Sequence, residues 1–307
     1  VIGFAVKERY AALVGGNPAV ARIHTLRDGS PGNVLELCRE IRRERYGTVI
    51  DLHGNARSAL LATCAGARAI TRYVKRDPGD ALRVRLRRAP YRARRRLVER
   101  YLESLAPLGI EHAYRRPRFH PDAGSIASAG AYLRESGLEP GGYAAIVPGS
   151  KWPTKTWPAE GYGEVARALA SEDGLPVLVL GSAAERGLAD EVARRVPGAR
   201  SAAGAVSLGE AACLLSSARL AIGNDTGPTH IAMACGTPTV AIFGPTDPAQ
   251  FDFEGHELIY ADLPCSACSF FGSRRCRLGH WRCMRAIPPV TVLAAARRLL
   301  SGGGPPA

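Results

Sequence analysis

The chain has 307 residues, 46% hydrophobic and 22% charged, with a formal net charge of +13. Those proportions suit about two globular domains and exclude a disordered or low-complexity polymer, and no apolar run approaches the ~18–20 residues of a membrane-crossing helix. The charge is lopsided: residues 1–139 hold 26 Lys and Arg against 14 Asp and Glu, the remainder 15 against 14, so the first half suits a polyanionic partner such as nucleic acid, anionic headgroups or a phosphorylated substrate.

In chain order, 1–6 reads as a strand, 36–45 as a helix, 48–52 as a strand closed by His53-Gly54-Asn55, and 57–65 as a helix. Nine arginines crowd the next stretch: Arg83, Arg85, Arg87, Arg88, Arg92, Arg94, Arg95, Arg96 and Arg100. A solvated basic face, an anionic membrane surface or a phosphorylated glycolipid accounts for them equally well. Only Tyr91 and Tyr101 accompany them, which disfavours nucleic acid. Leu138-Glu139-Pro140-Gly141-Gly142 reads as a joint, dividing the chain into 1–141 and 142–301.

Beyond it, short apolar strands at 144–147, 177–180, 220–223 and 239–243 alternate with helical patterns at 162–170, 186–195, 208–217 and 228–235. Continuous apolar strands spaced by helices predict a parallel sheet covered on both faces. Ligands of such sheets sit outside the strands' carboxyl ends, so the turns there are the places to look for chemistry.

Three turns stand out. Gly223-Asn224-Asp225-Thr226-Gly227-Pro228-Thr229-His230 follows a strand and opens a helix, with Asp225 and Thr226 as N-cap types and Pro228 in the first turn. Such a helix start is an anion site suited to a diphosphate, with His230 one turn in, although a capped helix without a ligand has the same pattern. Pro148 to Pro158 holds Ser150, Lys151, Thr154, Lys155 and Thr156 in a proline-stiffened loop that could cradle phosphate. It lacks the Walker spacing, and a solvated loop anchored by Trp157 fits as well. Phe243-Gly244-Pro245-Thr246-Asp247-Pro248 reads as a wall of the same crevice with no direct catalytic role.

Cys265, Cys268, Cys276 and Cys283 cluster near His280. C-x-x-C followed by two further thiols fits a structural zinc; reduced thiols packing a loop, or a disulfide formed on isolation, fit too. Cys38, Cys64, Cys213 and Cys235 read as buried reduced thiols, and with no secretory signal in view a cytosolic compartment is expected.

Taken together the turns resemble the lipopolysaccharide heptosyltransferases, glycosyltransferase family nine. The resemblance rests on Asp51 to Ser58, Arg100-Tyr101-Leu102 with Leu105 to Ile110, Pro148-Gly149-Ser150 with Lys155 to Pro158, Asn224 to His230, Phe243 to Pro248, and the late cysteines with Met284. It implies a GT-B fold, α/β, with two Rossmann-like doubly wound parallel-sheet domains facing across a cleft. The first would take the acceptor and the second an ADP-activated heptose, with inverting transfer and no cofactor or essential metal.

By matching position, the resemblance implies that Lys155 contacts the donor phosphates and stabilises the departing diphosphate, with Ser150 as a neighbouring hydroxyl contact. Glu185 would meet the ribose and Val206 adenine. Asp225, Thr226, Gly227 and His230 would form the nucleotide-sugar turn. His53, Gly54, Arg57 and Ser58 would face a phosphorylated lipid A–core acceptor, in the cytoplasm at the anionic inner-membrane leaflet. The family's proposed general base is an Asp upstream of the strand that 1–6 matches, so none is assigned here, and Asp51 reads as a cap of its own turn. A non-catalytic nucleotide-sugar-binding protein and a GT-B nucleotide-sugar epimerase are the competing expectations.

Overall fold

The computed structural model describes residues 1–75, 84, 90–111 and 116–302. Arg83, Arg85, Arg87 and Arg88 of the arginine run lie outside them. The chain forms two compact units, one of Val1–Leu82 with Arg94–Asp122, the other of Arg83–Ala93 with Ala123–Ala307.

The second unit is built on six parallel strands in the order β10-β9-β8-β5-β6-β7. These are β5 (Ala144–Val147), β6 (Val177–Val179), β7 (Arg200–Ser201), β8 (Leu220–Asn224), β9 (Thr239–Phe243) and β10 (Glu257–Tyr260). β5, β6, β8 and β9 are buried at every position, as the near-continuous apolar runs of a doubly covered sheet require. Alternate side chains feed opposite faces. Ala144 and Ile146 join a core with Trp157, Tyr162 and the helices Ala159–Ser171, Arg186–Arg194 and Pro289–Ser301. Ala145 and Val147 join another with the helices Ala123–Ser136, Leu208–Ser216 and Gly227–Ala234.

The connectivity positions the site. From β5 the chain builds outward through β6 to β7, then returns to β8 on the other side of β5 and builds the opposite way. β5 and β8 therefore flank the point where strand order reverses, and their following loops border the crevice that such a reversal opens.

The units divide before the Gly- and Pro-rich joint at 138–142. Helix Ala123–Ser136 ends in a left-handed Gly137, and Leu138 turns into the second unit's core with Ala129 and Leu133. The short stretch 90–93 is bound there too: Tyr91 N donates to Ala267 O, Arg92 Nη1 to Ser266 O, and Ala93 N to Asp247 Oδ2. Arg92 is thus an anchored side chain, and Arg100, in the first unit, is 5% exposed and donates to Lys75 O.

In the first unit the described strands form two parallel pairs, β1 (Ile2–Lys7) with β2 (Val20–Leu26), and β3 (Thr48–Asp51) with β4 (Ala69–Arg72). Helix Pro31–Arg43 starts at Ser30, whose side chain accepts from Asn33 N, and its apolar stripe Val34, Leu37, Cys38 and Ile41 packs with Leu26 and Ala65. Among the described residues, no helix is long and apolar enough to cross a membrane.

Candidate functional site

Asn224, the last residue of β8, ties the two switch-point loops together. It is fully buried; its Oδ1 accepts from Trp157 N at 3.0 Å, and its Nδ2 donates to Pro148 O at 2.8 Å. Trp157 is itself 1% exposed and donates Nε1–H to Ile287 O. The loop from 148 to 158 is therefore pinned at both ends, and Lys155 projects from a fixed base.

Lys155 Nζ lies 2.5 Å from Asp225 Oδ2. Asp225 Oδ1 lies 2.9 Å from His230 Nε2, and Thr246 Oγ1 donates to Asp225 Oδ2 at 2.5 Å. Burial pushes the Asp225 carboxyl up, but the His230 hydrogen bond and the Lys155 charge outweigh it and hold the group down at about 2. The carboxylate is thus ionised and shared by three partners. His230 lies against Phe251, ring centroids 4.3 Å apart, which fixes its plane one turn into the helix.

Asp225 is therefore the centre of a polar cluster and does not cap the helix. Thr226 occupies the N-cap position and makes no side-chain cap bond. Among the described residues the N-cap side chain makes no bond to the first-turn N–H groups of Gly227–Ala234, and a Cβ built at Gly227 would meet nothing within 4 Å. This open helix start at a strand's carboxyl end has the polarity an anion needs.

The other donor-side candidates lie along the same sheet edge. Glu185 follows β6; its Oε2 accepts from Ser182 N and Oγ, and its carboxyl packs on Gly149, where any Cβ would overlap it. Val206 follows β7 and packs at the margin of the second core, just before the N-cap Ser207. The Ser150 hydroxyl accepts from Trp152 N, which shapes its own loop.

In the first unit, His53, Gly54, Arg57 and Ser58 gather beyond β3. Asp51 Oδ1 accepts from His53 N and Gly54 N, both at 3.0 Å, and caps the turn as the sequence suggests. Burial raises the Asp51 carboxyl, but these bonds, Ser58 and Arg72 together lower it. Asn55 caps helix Ala56–Cys64, exchanging bonds with Ser58, whose hydroxyl accepts from Asn55 N and donates to Asn55 O. Arg57 packs across Gly29, where a Cβ would lie 2.7 Å from Nη2.

The model of glycosyltransferase family 9 (heptosyltransferase) matches residues 34–272, across both sites. The chain belongs to this family. It is 29% identical over 290 residues to lipopolysaccharide heptosyltransferase 1 of Pseudomonas aeruginosa, covering 86% of this chain and 76% of that one. Its fold is similar to that of a glycosyltransferase family 9 structure from Veillonella parvula, with a TM-score of 0.78 at 21% identity over 98% of this chain and 88% of that one. The same holds for an E. coli structure described as ADP-heptose lps heptosyltransferase II, with a TM-score of 0.71 at 21% identity over 98% and 89%. The fold is GT-B, and the protein is a glycosyltransferase of the heptosyltransferase family.

Of the three alternatives for the late cysteines, the structure shows the reduced thiols. Among the described residues no three His, Cys, Asp or Glu side chains are placed to hold one ion, and Cys265 Sγ stands 3.9 Å from His280 Nε2. The four thiols are free. Cys276 is buried enough to raise its thiol, but the backbone N–H groups of residues 278–281 converge on it and lower it, which folds the loop around its sulfur.

Two functional residues escape sequence reasoning. Asn224 reads there as part of a helix-start motif, yet it bolts two loops together across 67 residues of sequence. Thr246 reads as part of a wall, yet it is 1% exposed and bonds the central carboxylate. No local signal marks either role.

Proposed function

We propose that this glycosyltransferase moves heptose from ADP-heptose onto the lipopolysaccharide inner core, a phosphorylated lipid A–core acceptor, inverting the anomeric carbon. The observation that most supports the reading is the contact of Lys155 with Asp225, a fixed cation beside an uncapped helix start at the switch point of the sheet. The names of the relatives point to the same sugar and acceptor.

In this reading the diphosphate lies between Lys155 and the N–H groups at Thr226 and Gly227, with the Ser150 loop beneath it. Adenine lies by Val206, the ribose by Glu185, and His230, steered by Asp225, reaches the sugar-phosphate oxygens. An acceptor hydroxyl attacks the anomeric carbon as the bond from that carbon to the β-phosphate oxygen breaks. The hydroxyl proton passes to a base, and ADP leaves with the bonding electron pair. Charge builds on the diphosphate as the bond breaks, so preorganised donors there lower the barrier; one such group is worth about 10²–10³ in rate. His53, Gly54 and Arg57 face the acceptor, Ser58 holding their turn. The balance of +12 over residues 1–139 favours a phosphorylated oligosaccharide and the anionic inner leaflet, to which the protein binds peripherally from the cytoplasm.

The test is turnover of ADP-heptose on a lipid A–core acceptor, alongside calorimetry with ADP-, UDP- and GDP-sugars. Lys155→Ala in the full-length protein is expected to lower turnover or donor affinity at least about tenfold with the fold intact. Unchanged rate and affinity, or preference for a UDP- or GDP-sugar, overturns the reading.

A further inference from the structure

Lys155 is gripped twice. Its ammonium end meets Asp225, whose Oδ2 also accepts from Thr246. Its aliphatic stem meets a loop that no motif assigned to the site. Gly272 stands so close that a Cβ there would lie 2.9 Å from Lys155 Cδ, 3.0 Å from Cγ and 2.7 Å from Trp152 Cβ. Its φ of +93° is a conformation that side chains resist, so the approach is specific to glycine.

The loop is tied to the Lys155 loop and to the turn that carries Thr246. Thr154 Oγ1 donates to Ser273 O at 2.8 Å and accepts from Ser273 N at 2.8 Å, with Thr154 4% exposed. Ser269 Oγ accepts from Gly272 N at 2.9 Å and donates to Gly272 O at 3.0 Å, while Ser269 N donates to Pro245 O at 2.9 Å. Thr246 follows Pro245. The contacts close a ring from the Lys155 stem through Gly272, Ser269, Pro245, Thr246 and Asp225 back to the ammonium.

We infer that Thr246 and Gly272 are positioning residues for Lys155, Thr246 steering the ammonium through Asp225 and Gly272 setting the path of the stem. The inference rests on the reading that Lys155 acts on the donor diphosphate. A side chain with four rotatable bonds loses much freedom when held, and a cation held in advance is worth more to the transition state than one that must be ordered during the reaction. The signature is a loss in kcat larger than in KM for the donor.

The experiment compares Thr246→Val, Thr246→Ser, Gly272→Ala and Lys155→Ala, and each of the first three combined with Lys155→Ala, in the full-length protein with ADP-heptose and a lipid A–core acceptor. Thr246→Val and Gly272→Ala are expected to lower kcat about fivefold or more with KM changed less than about twofold. Thr246→Ser, which keeps the hydroxyl, restores most of the rate. In the Lys155→Ala background neither change adds a further loss, because residues acting through one group are not additive. If Thr246→Val does not fold, Gly272→Ala and its double variant decide. Additive losses, or a failed serine rescue, overturn the positioning role and leave the function standing. Full activity of Lys155→Ala overturns both.

Discussion

Replacing Asp225 by Asn keeps the shape of the side chain and removes the charge that Lys155 contacts. The carboxylate is 5% exposed and titrates at about 2, against an ordinary 3.8. A folded-state value below the unfolded one contributes stability that is complete above the unfolded value and lost as pH falls toward the folded one. At about 1.4 kcal/mol per pKa unit the difference amounts to about 2 kcal/mol, of which about 1 kcal/mol is gone by pH 3. Asn also leaves Lys155, 11% exposed at its side chain, without a counter-charge. The expected cost at neutral pH is about 3 kcal/mol. Urea unfolding followed by tryptophan fluorescence isolates the effect, because Trp152, Trp157 and Trp281 all lie in the second unit. The stability gap between wild type and Asp225→Asn should narrow by about 1 kcal/mol between pH 6 and pH 3 as the wild type loses its advantage. A gap of constant size over that range refutes the ionised, three-partner carboxylate.

Two further outcomes follow from buried polar groups. Tyr162 is fully buried and its hydroxyl has no hydrogen-bond partner among the described residues, so Tyr162→Phe should raise stability by about 1 kcal/mol in the same unfolding assay, and a loss would contradict that. Asn224→Ala severs the bonds to Trp157 N and Pro148 O inside the core and should destabilise by about 2 kcal/mol. Calorimetry should show it weakening ADP binding several-fold; undiminished affinity would separate the pin from the site.

The strands that carry the site were legible because a buried parallel strand needs an unbroken apolar run, and each ends at a glycine or a polar turn. β9 matches residue for residue, and β5 likewise. β2 was not legible. Its run Val20–Leu26 contains Arg22 and His24, which local pattern reads as non-strand. Both are matched by residues later in the chain: Arg22 by Glu44, and His24, 3% exposed, by Glu40 at 2.6 Å and Tyr46 at 2.8 Å. A pairing set by tertiary contact leaves no mark in a window of seven. Helix Ala123–Ser136 was missed for another reason: its Ala, Gly and Ser residues give a weak stripe, and only Ala129 and Leu133 are fully buried. The proline and glycines at 140–142 lie between this helix and β5.

The place of Asp225 bears most on the chemistry, for of the two N-cap types in this turn Thr226 takes the N-cap position. An acidic residue before a helix is read as a cap, because a local bond to the first-turn N–H groups is the commonest use of that residue there. Helix Leu208–Ser216 follows that rule, with Ser207 and Glu210 closing its own first turn. At Gly227–Ala234 the carboxylate is drawn away by three partners, two of them 21 and 70 residues distant, and the helix start stays open. The two facts have one cause. In the proposed reading, a carboxylate that capped this turn would place negative charge where the donor diphosphate is to sit, and would leave Lys155 without its anchor. Committing Asp225 to Lys155, His230 and Thr246 keeps a cation poised beside an uncovered positive helix end, and the proposed donor site depends on that division of labour.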